Sequence, residues 1–225
     1  MAMKKAAAPM MRIIRSQSDI REGMAALTQQ CAIMRCAHAT AGDPPLRRNA
    51  DGLAGIARII VNQQVSTASG NAIWARVEAG ITPFEAGTIL RLGEDRLRTF
   101  GLSRPKIKTL QAVAAAVEAG QIDFTKLGRA PDDEVRAALT ALHGIGPWTS
   151  DIYLMFSLGR ADTFAPGDLA LQEAVRMAMA LEVRPDHKAL ARIAERWQPW
   201  RGVAARMLWA YYRVIKENKS AGAPV

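Results

Sequence analysis

Asp168 is the acidic residue whose setting in this sequence is best suited to chemistry. It follows Pro166 and Gly167, which break the chain, so we expect it at or near the amino terminus of a helix. The dipole at such a terminus keeps a carboxylate ionised. A fixed anion can stabilise positive charge in a transition state and can align or deprotonate a water molecule. A capping role alone would select the same residue type, and that alternative stays open.

Two other acids lie nearby in the sequence and are weaker candidates. Asp151 falls on the helix after a tight turn, where we expect it to face solvent or a basic neighbour. Asp162 falls in a predicted loop. Neither acid occupies the position of the aspartate in the family whose resemblance is described below.

A second candidate feature is the tight turn within residues 139–149, LTALHGIGPWT. Gly144 stands where a helix ending needs positive φ, and Pro147 suits the first position of the next helix. Ile145 can plug the turn into the core and leave backbone amides facing outward. Those amides and the helix dipole would grip one phosphate without reading sequence. An ordinary corner between two helices is the alternative.

The elements that position these residues are predicted to be helices. Apolar residues recur at helical spacing, and no long alternating pattern indicates a strand. About ten helices are expected, the first from Ser18, a candidate N-cap, to about His38. The fold class is therefore all-α.

Charge and composition narrow the partners and the compartment. The 225 residues hold 30 Lys and Arg against 21 Asp and Glu, a formal charge of +9. A basic surface attracts nucleic acid, although a basic protein without such a partner fits equally well. The two cysteines, Cys31 and Cys36, form no disulfide framework and cannot hold a four-cysteine cluster, which indicates a reducing compartment. No stretch is long enough to span a membrane, so we expect no membrane partner.

Taken together, the turn and the segment FAPGD ending at Asp168 resemble the helix-hairpin-helix-GPD superfamily of DNA glycosylases. The details are most similar to the alkylpurine branch, the 3-methyladenine DNA glycosylase II type. Three further segments agree with that resemblance, which extends from about residue 50 to the C-terminus. They are residues 60–66, residues 100–106, and residues 196–202 together with Trp209.

The resemblance implies a role for Asp168 and for a set of aromatic residues. Asp168 would stabilise the positive sugar as an N-glycosidic bond breaks. Trp148 stands where relatives that also nick the strand carry a Schiff-base lysine, so water is the expected nucleophile. Trp148, Trp209 and, third, Tyr153 would hold the flipped base by stacking and cation–π attraction. Trp209 is expected off the buried stripe of its helix, although a core or lid position would also suit it.

The resemblance also implies contacts with DNA. Gln64 would fill the gap left by the flipped base. Arg104, Lys106 and Lys108 cluster after a turn and would contact phosphate, unless they form a solvated helix face. Backbone carbonyls of Thr140, Leu142 and Ile145 would hold a sodium or potassium ion, and no other cofactor is expected. The complete set of expected DNA-contact residues is Gly144, Ile145, Gly146, Thr149, Gln63, Gln64, Ser66, Arg104 and Lys106.

These expectations combine into two helical subdomains with Asp168 at the cleft between them. Residues 1–17 are expected to form a flexible basic tail, 18–50 with 165–225 a terminal subdomain, and 51–164 a central subdomain. The expected protein is a cytoplasmic, nucleoid-associated monomer that removes alkylated purines from double-stranded DNA. Two alternatives remain: a glycosylase for deaminated or oxidised bases, and a non-catalytic helix-hairpin-helix DNA-binding module.

Overall fold

A computed structural model describes residues 11–220, with side chains described as far as Asn218. Within this range the chain forms twelve α-helices, and the only β feature is an isolated bridge between Ile13 and Arg160. The all-α prediction is therefore confirmed. The helices are α1 Gln17–Gln30, α2 Ala32–Ala41, α3 Gly52–Asn62, α4 Thr67–Gly80, α5 Ala86–Thr99, α6 Arg104–Glu118, α7 Phe124–Leu127, α8 Asp132–Thr140, α9 Pro147–Ile152, α10 Leu169–Ala178, α11 His187–Ala194 and α12 Arg201–Ser220.

Two short segments of other helical types extend this list. Tyr153–Ser157 continues α9 as a π-helix, and Glu195–Trp197 forms a 3-10 turn after α11. Among the described residues, no helix combines the length and the apolar character needed to cross a bilayer.

The first predicted helix is two helices in the structure. Ser16, not Ser18, is the N-cap of α1, because its hydroxyl accepts from the Asp19 amide while the Asp19 carboxylate accepts from the Ser16 amide. Cys31 then takes an extended conformation that separates α1 from α2. No glycine or proline marks that break, which is why helical periodicity ran through it.

The prediction of a flexible tail over residues 1–17 is wrong for its second part. Ile14 is fully buried, and its amide donates to the carbonyl of Gly159 at 2.7 Å. The amide of Ala161 in turn donates to the carbonyl of Arg12 at 3.0 Å. Residues 12–14 are therefore fixed to the loop that leads to Asp168, while residues 1–10 lie outside the described part.

Apolar side chains gather into two clusters that meet at α3. Ala57 and Val61 on one face of α3 join the smaller cluster, formed with α4, α5 and α6. Ile56 and Ile60 on another face join the larger cluster, which includes α1, α2 and α8–α12. A helix that is apolar around most of its surface is buried on several sides, as the α3 sequence GLAGIARIIVN requires. The turn helices α8 and α9 thus share a core with the terminal helices, and the subdomain limits at 51 and 164 stay a prediction.

The start of α12 is fixed against the loop before Asp168. The Gly202 amide donates to the carbonyl of Ala161 at 2.7 Å, and a Cβ at Gly202 would lie 2.9 Å from that same oxygen. Arg201 pairs with Asp162 through two contacts of 2.9 Å. The loop and the first turn of α12 are therefore held together, which positions the later residues of α12 relative to α10.

Candidate active site

The predicted turn between α8 and α9 has the expected backbone. Gly144 has a φ of +79°, and a Cβ there would lie 1.9 Å from Oγ1 of Thr109. Ile145 is 5% exposed and packs in the larger core cluster. Gly146 precedes α9 with a φ of −97°, and a Cβ there would meet nothing within 4 Å. The turn is therefore close-packed on one side and open on the other, as a backbone anion site requires.

Asp168 is the N-cap of α10 and also the centre of a hydrogen-bond cluster. Its Oδ1 accepts from the amide of Leu171 at 2.9 Å. The indole Nε1 of Trp148 donates to Oδ2 at 2.8 Å, and the indole Nε1 of Trp209 donates to Oδ1 at 3.1 Å. Three N–H donors around two oxygens are the pattern of an ionised carboxylate. The capping and the chemical interpretations of Asp168 are thus compatible.

The two tryptophans reach Asp168 from different parts of the chain. Trp148 lies in the first turn of α9, directly after the tight turn, and Trp209 lies in the middle of α12. Both side chains are half-buried. Trp209 also packs against Phe156, with ring centroids 5.5 Å apart. The sequence placed both residues at the site but did not reveal their donation to Asp168, because periodicity carries no information about where an indole N–H points.

Tyr153 is not part of this cluster, and its prediction as a third wall of the base pocket is wrong. The side chain has no exposed surface, its ring packs on Phe124, and its hydroxyl accepts from the amide of Gly52 at 3.1 Å. Burial raises the pKa of Tyr153 to about 12. Successive residues on a helix point about 100° apart, so neighbouring side chains face different surroundings. The side chain of Tyr153 faces the start of α3 instead of Asp168.

The segment after α3 reaches the turn through Gln63. Its side-chain Nε2 donates to Oγ1 of Thr149 at 2.9 Å. Thr149 is only 2% exposed, so the structure does not present its side chain to DNA as predicted.

Ser66 accepts from the Ser69 amide as the N-cap of α4. Gln64 is exposed and has a φ of +54°, unusual for a residue with a side chain.

The basic residues in the first part of α6 have different surroundings. Lys106 is half-buried, and its Nζ donates to the carbonyl of Val61 at 2.7 Å. It therefore provides a hydrogen-bond donor for a carbonyl at the end of α3, instead of facing DNA as predicted. Burial lowers the pKa of Lys106. Arg104 is exposed and pairs with Glu94 at 3.3 Å. Lys108, the third basic residue of this cluster, is exposed and shares a shallow surface pocket with His143 of the turn.

The rival acids have structural partners. Asp151 is buried and accepts from Nε of Arg136 at 2.7 Å. Burial raises the pKa of Asp151, and the Arg136 guanidinium opposes that rise. Asp162 is paired with Arg201. Within residues 11–220, no group of three His, Cys, Asp or Glu side chains could hold a metal ion.

Comparison with known proteins identifies the family to which this arrangement belongs. The family model described as "HhH-GPD superfamily base excision DNA repair protein" matches residues 57–199, a range that includes the turn and Asp168. The chain belongs to the HhH-GPD superfamily.

Individual relatives agree with this assignment. DNA-3-methyladenine glycosylase 1 of Schizosaccharomyces pombe is 29% identical over 166 residues, covering 72% of this chain and 73% of that protein. A solved DNA-3-methyladenine glycosidase of Bacillus halodurans has a TM-score of 0.74 at 30% identity, covering 92% of this chain and 95% of that one. A match to a Bacillus subtilis relative covers 54% of this chain but only 42% of that protein.

A solved 3-methyladenine DNA glycosylase of Schizosaccharomyces pombe, in complex with abasic DNA, shares the fold. Its TM-score is 0.79 at 24% identity, and the match covers 91% of this chain and all of that one.

The indole donors of this HhH-GPD site give a first prediction. Trp148→Phe keeps an aromatic ring but removes the N–H that binds Oδ2 of Asp168. Because the carboxylate loses a donor, we expect base release to slow about tenfold, the equivalent of ~1.4 kcal/mol. Single-turnover base release, measured beside DNA affinity, tests this, and the affinity should hardly change.

Trp197→Phe is the matched control. The Nε1 of Trp197 is buried and has no hydrogen-bond partner in the structure, so this change removes an indole N–H without touching Asp168. Equal slowing in both variants would show that indole loss acts through folding alone.

Lys106 and Lys108 give a second prediction because they lie two residues apart with different surroundings. Lys106→Met should lower the free energy of unfolding by about 1 kcal/mol, because it leaves the Val61 carbonyl without its donor. Lys108→Met should leave stability unchanged and reduce the salt dependence of DNA binding by about one counterion. Urea unfolding and binding titrations at several salt concentrations distinguish the two, and the reverse pattern would contradict the assignment.

Proposed function

We propose that this protein is a monofunctional DNA glycosylase that hydrolyses the N-glycosidic bond of alkylated purines in duplex DNA. The observation that carries the proposal is the Asp168 carboxylate held by the indole N–H groups of Trp148 and Trp209, next to the tight turn. The names of the curated and solved relatives support the alkylpurine substrate. Because its substrate would be DNA, the protein would act at the nucleoid. It would act as a monomer, because one chain supplies both the turn and the carboxylate.

The chemistry follows from the charge that bond cleavage produces. As the bond from C1′ to the base breaks, the electron pair leaves with the base and the sugar becomes positive. Asp168 stabilises that charge through its fixed anion. A water oxygen bonds to C1′ and gives its proton to Asp168 or to solvent, which leaves an abasic sugar. No lysine stands at position 148, so the strand stays unbroken.

The surrounding residues bind and open the duplex. The open side of the turn at Gly144 and Gly146 binds a backbone phosphate through amides. Gln64, exposed on a backbone of positive φ, enters the space that the flipped nucleotide leaves. Trp148 and Trp209 bind Asp168 only through their indole edges, so a base can stack on the Trp148 ring and on the Trp209 face turned away from Phe156.

The turn also has oxygens suited to a sodium or potassium ion. Thr140 is the last residue of α8, where carbonyl groups carry partial negative charge, and Leu142 and Ile145 follow it in the turn. The Leu142 carbonyl accepts from the Ile145 amide at 3.2 Å and keeps a second lone pair. The carbonyls of Thr140, Leu142 and Ile145 would hold the ion, which would supply positive charge toward a phosphate.

Release of free bases from methylated duplex DNA tests the proposed function. We expect the wild type to release 3-methyladenine or 7-methylguanine and to leave strands that break only on treatment with alkali. DNA binding without release of either base would overturn the alkylpurine assignment. Strand breaks without alkali would overturn the hydrolytic mechanism.

A further inference from the structure

Arg206 on α12 is a buried guanidinium without a carboxylate partner among the described residues. It is 3% exposed, and it donates to the carbonyls of Gly202 at 2.7 Å and Met155 at 2.8 Å. Its guanidinium carbon lies 4.7 Å from the centre of the Phe156 ring, and its Nε has no acceptor. Burial, and then the charges of Arg48 and Arg47, lower the pKa of Arg206 to about 9, so the side chain is still charged at neutral pH. A buried charge without a counter-ion is costly and calls for an explanation.

This guanidinium lines a small pocket that adjoins the candidate active site. Phe156 and Trp209 contribute aromatic walls, and the exposed residues Arg47 and Arg213 stand at the rim. No acidic residue lines the pocket. Trp209 connects the two sites, because its ring lines the pocket while its Nε1 binds Asp168.

The charge of this pocket bears on which damaged base the adjoining active site accepts, because Trp209 lies between the two. Nucleotides of 3-methyladenine and 7-methylguanine carry a positive base, whereas a ring-closed adduct such as 1,N6-ethenoadenine is uncharged. A positive base stacked on Trp209 would be repelled by the guanidinium groups. An uncharged base leaves with the bonding electron pair as an anion, and a fixed cation stabilises that developing charge.

We infer that Arg206 is a specificity-determining residue that favours uncharged alkylated purines over cationic ones. The inference rests on the proposed glycosylase function and concerns the base side of the same reaction. The bond from C1′ to the base nitrogen breaks, its electron pair moves onto the base stacked on Trp209, and the base takes a proton from solvent. Asp168 acts on the sugar, so the two residues stabilise opposite charges on the two separating parts.

Excision rates on two defined duplexes test the inference. One duplex carries 1,N6-ethenoadenine and the other carries 7-methylguanine, and single-turnover rates are measured for the wild type, Arg206→Met and Arg206→Lys. We expect the ratio of the ethenoadenine rate to the methylguanine rate to fall about tenfold to a hundredfold in Arg206→Met. Arg206→Lys keeps the charge and should retain most of the ratio.

Variants of the two arginines at the rim of the pocket test the same effect of charge if Arg206→Met folds poorly. Arg47→Gln and Arg213→Gln change exposed residues and should shift the ratio in the same direction by a smaller factor. Arg192→Gln, an exposed arginine of α11 outside the pocket, is the charge-matched control and should leave the ratio unchanged.

The outcomes distinguish the inference from the proposed function. Excision of both bases with an unchanged ratio in Arg206→Met, Arg47→Gln and Arg213→Gln would overturn the inference alone. Excision of neither base by the wild type would overturn the proposed function and the inference with it.

Discussion

Asp168→Asn should abolish most base release while leaving the fold intact. Asparagine caps a helix about as well as aspartate, so α10 should keep its N-cap bond to the Leu171 amide. The amide has no charge to stabilise the positive sugar, and its NH₂ group would face the Trp148 indole donor. We expect the single-turnover rate to fall about 10²- to 10⁴-fold, with DNA affinity nearly unchanged.

Asp186→Asn is the matched control for this variant. Asp186 caps α11 by accepting from the Ala189 amide at 2.8 Å, the same role that Asp168 has on α10. Both variants should show similar, small changes in the free energy of unfolding, and only Asp168→Asn should lose activity. Full activity in Asp168→Asn would remove this carboxylate from the reaction and favour the non-catalytic binding module.

Two glycines in the turn should separate folding from DNA binding. At Gly146, an added methyl group meets nothing and the backbone is allowed for alanine, so Gly146→Ala should fold normally. The methyl group would occupy the open side of the turn, where a phosphate is proposed to bind. We expect the Kd for duplex DNA to rise about tenfold or more.

Gly144→Ala should instead damage the protein itself. Its φ is +79°, and the new Cβ would overlap Oγ1 of Thr109. We expect the free energy of unfolding to fall by about 1 to 3 kcal/mol, together with weaker DNA binding. Urea unfolding and fluorescence anisotropy on one duplex measure both quantities. Normal DNA affinity in Gly146→Ala would argue against phosphate binding at the turn.

The sequence was sufficient to predict features that depend on local backbone chemistry. Positive φ at the turn favours glycine at position 144, the first position of a helix favours proline at 147, and Pro166 and Gly167 interrupt the chain before Asp168. Because one or two residue types are strongly preferred in each of these conformations, the sequence alone predicts them. The separation of α1 from α2 at Cys31 was not predicted, because cysteine has no such preference and the break depends on tertiary packing.

Side-chain partners were harder to predict than elements. Lys106 and Thr149 were expected at the surface, but their polar groups pair with Val61 and Gln63, which are distant in sequence. Tyr153 was expected at the site because it is aromatic. Successive residues on a helix point about 100° apart, and the side chain of Tyr153 points into the core. Arg206 gave no signal in the sequence, because its burial depends on how α12 packs against Met155 and Phe156.

The packed segment before α1 has a practical consequence for choosing where the chain can be shortened. Helical periodicity alone recommends Ser18 as a starting point. A protein trimmed there would lose the Ser16 cap and both backbone bonds that tie Arg12 and Ile14 to the loop at Gly159 and Ala161. That loop runs on to Asp168, so a minimal version of this protein should begin no later than Met11.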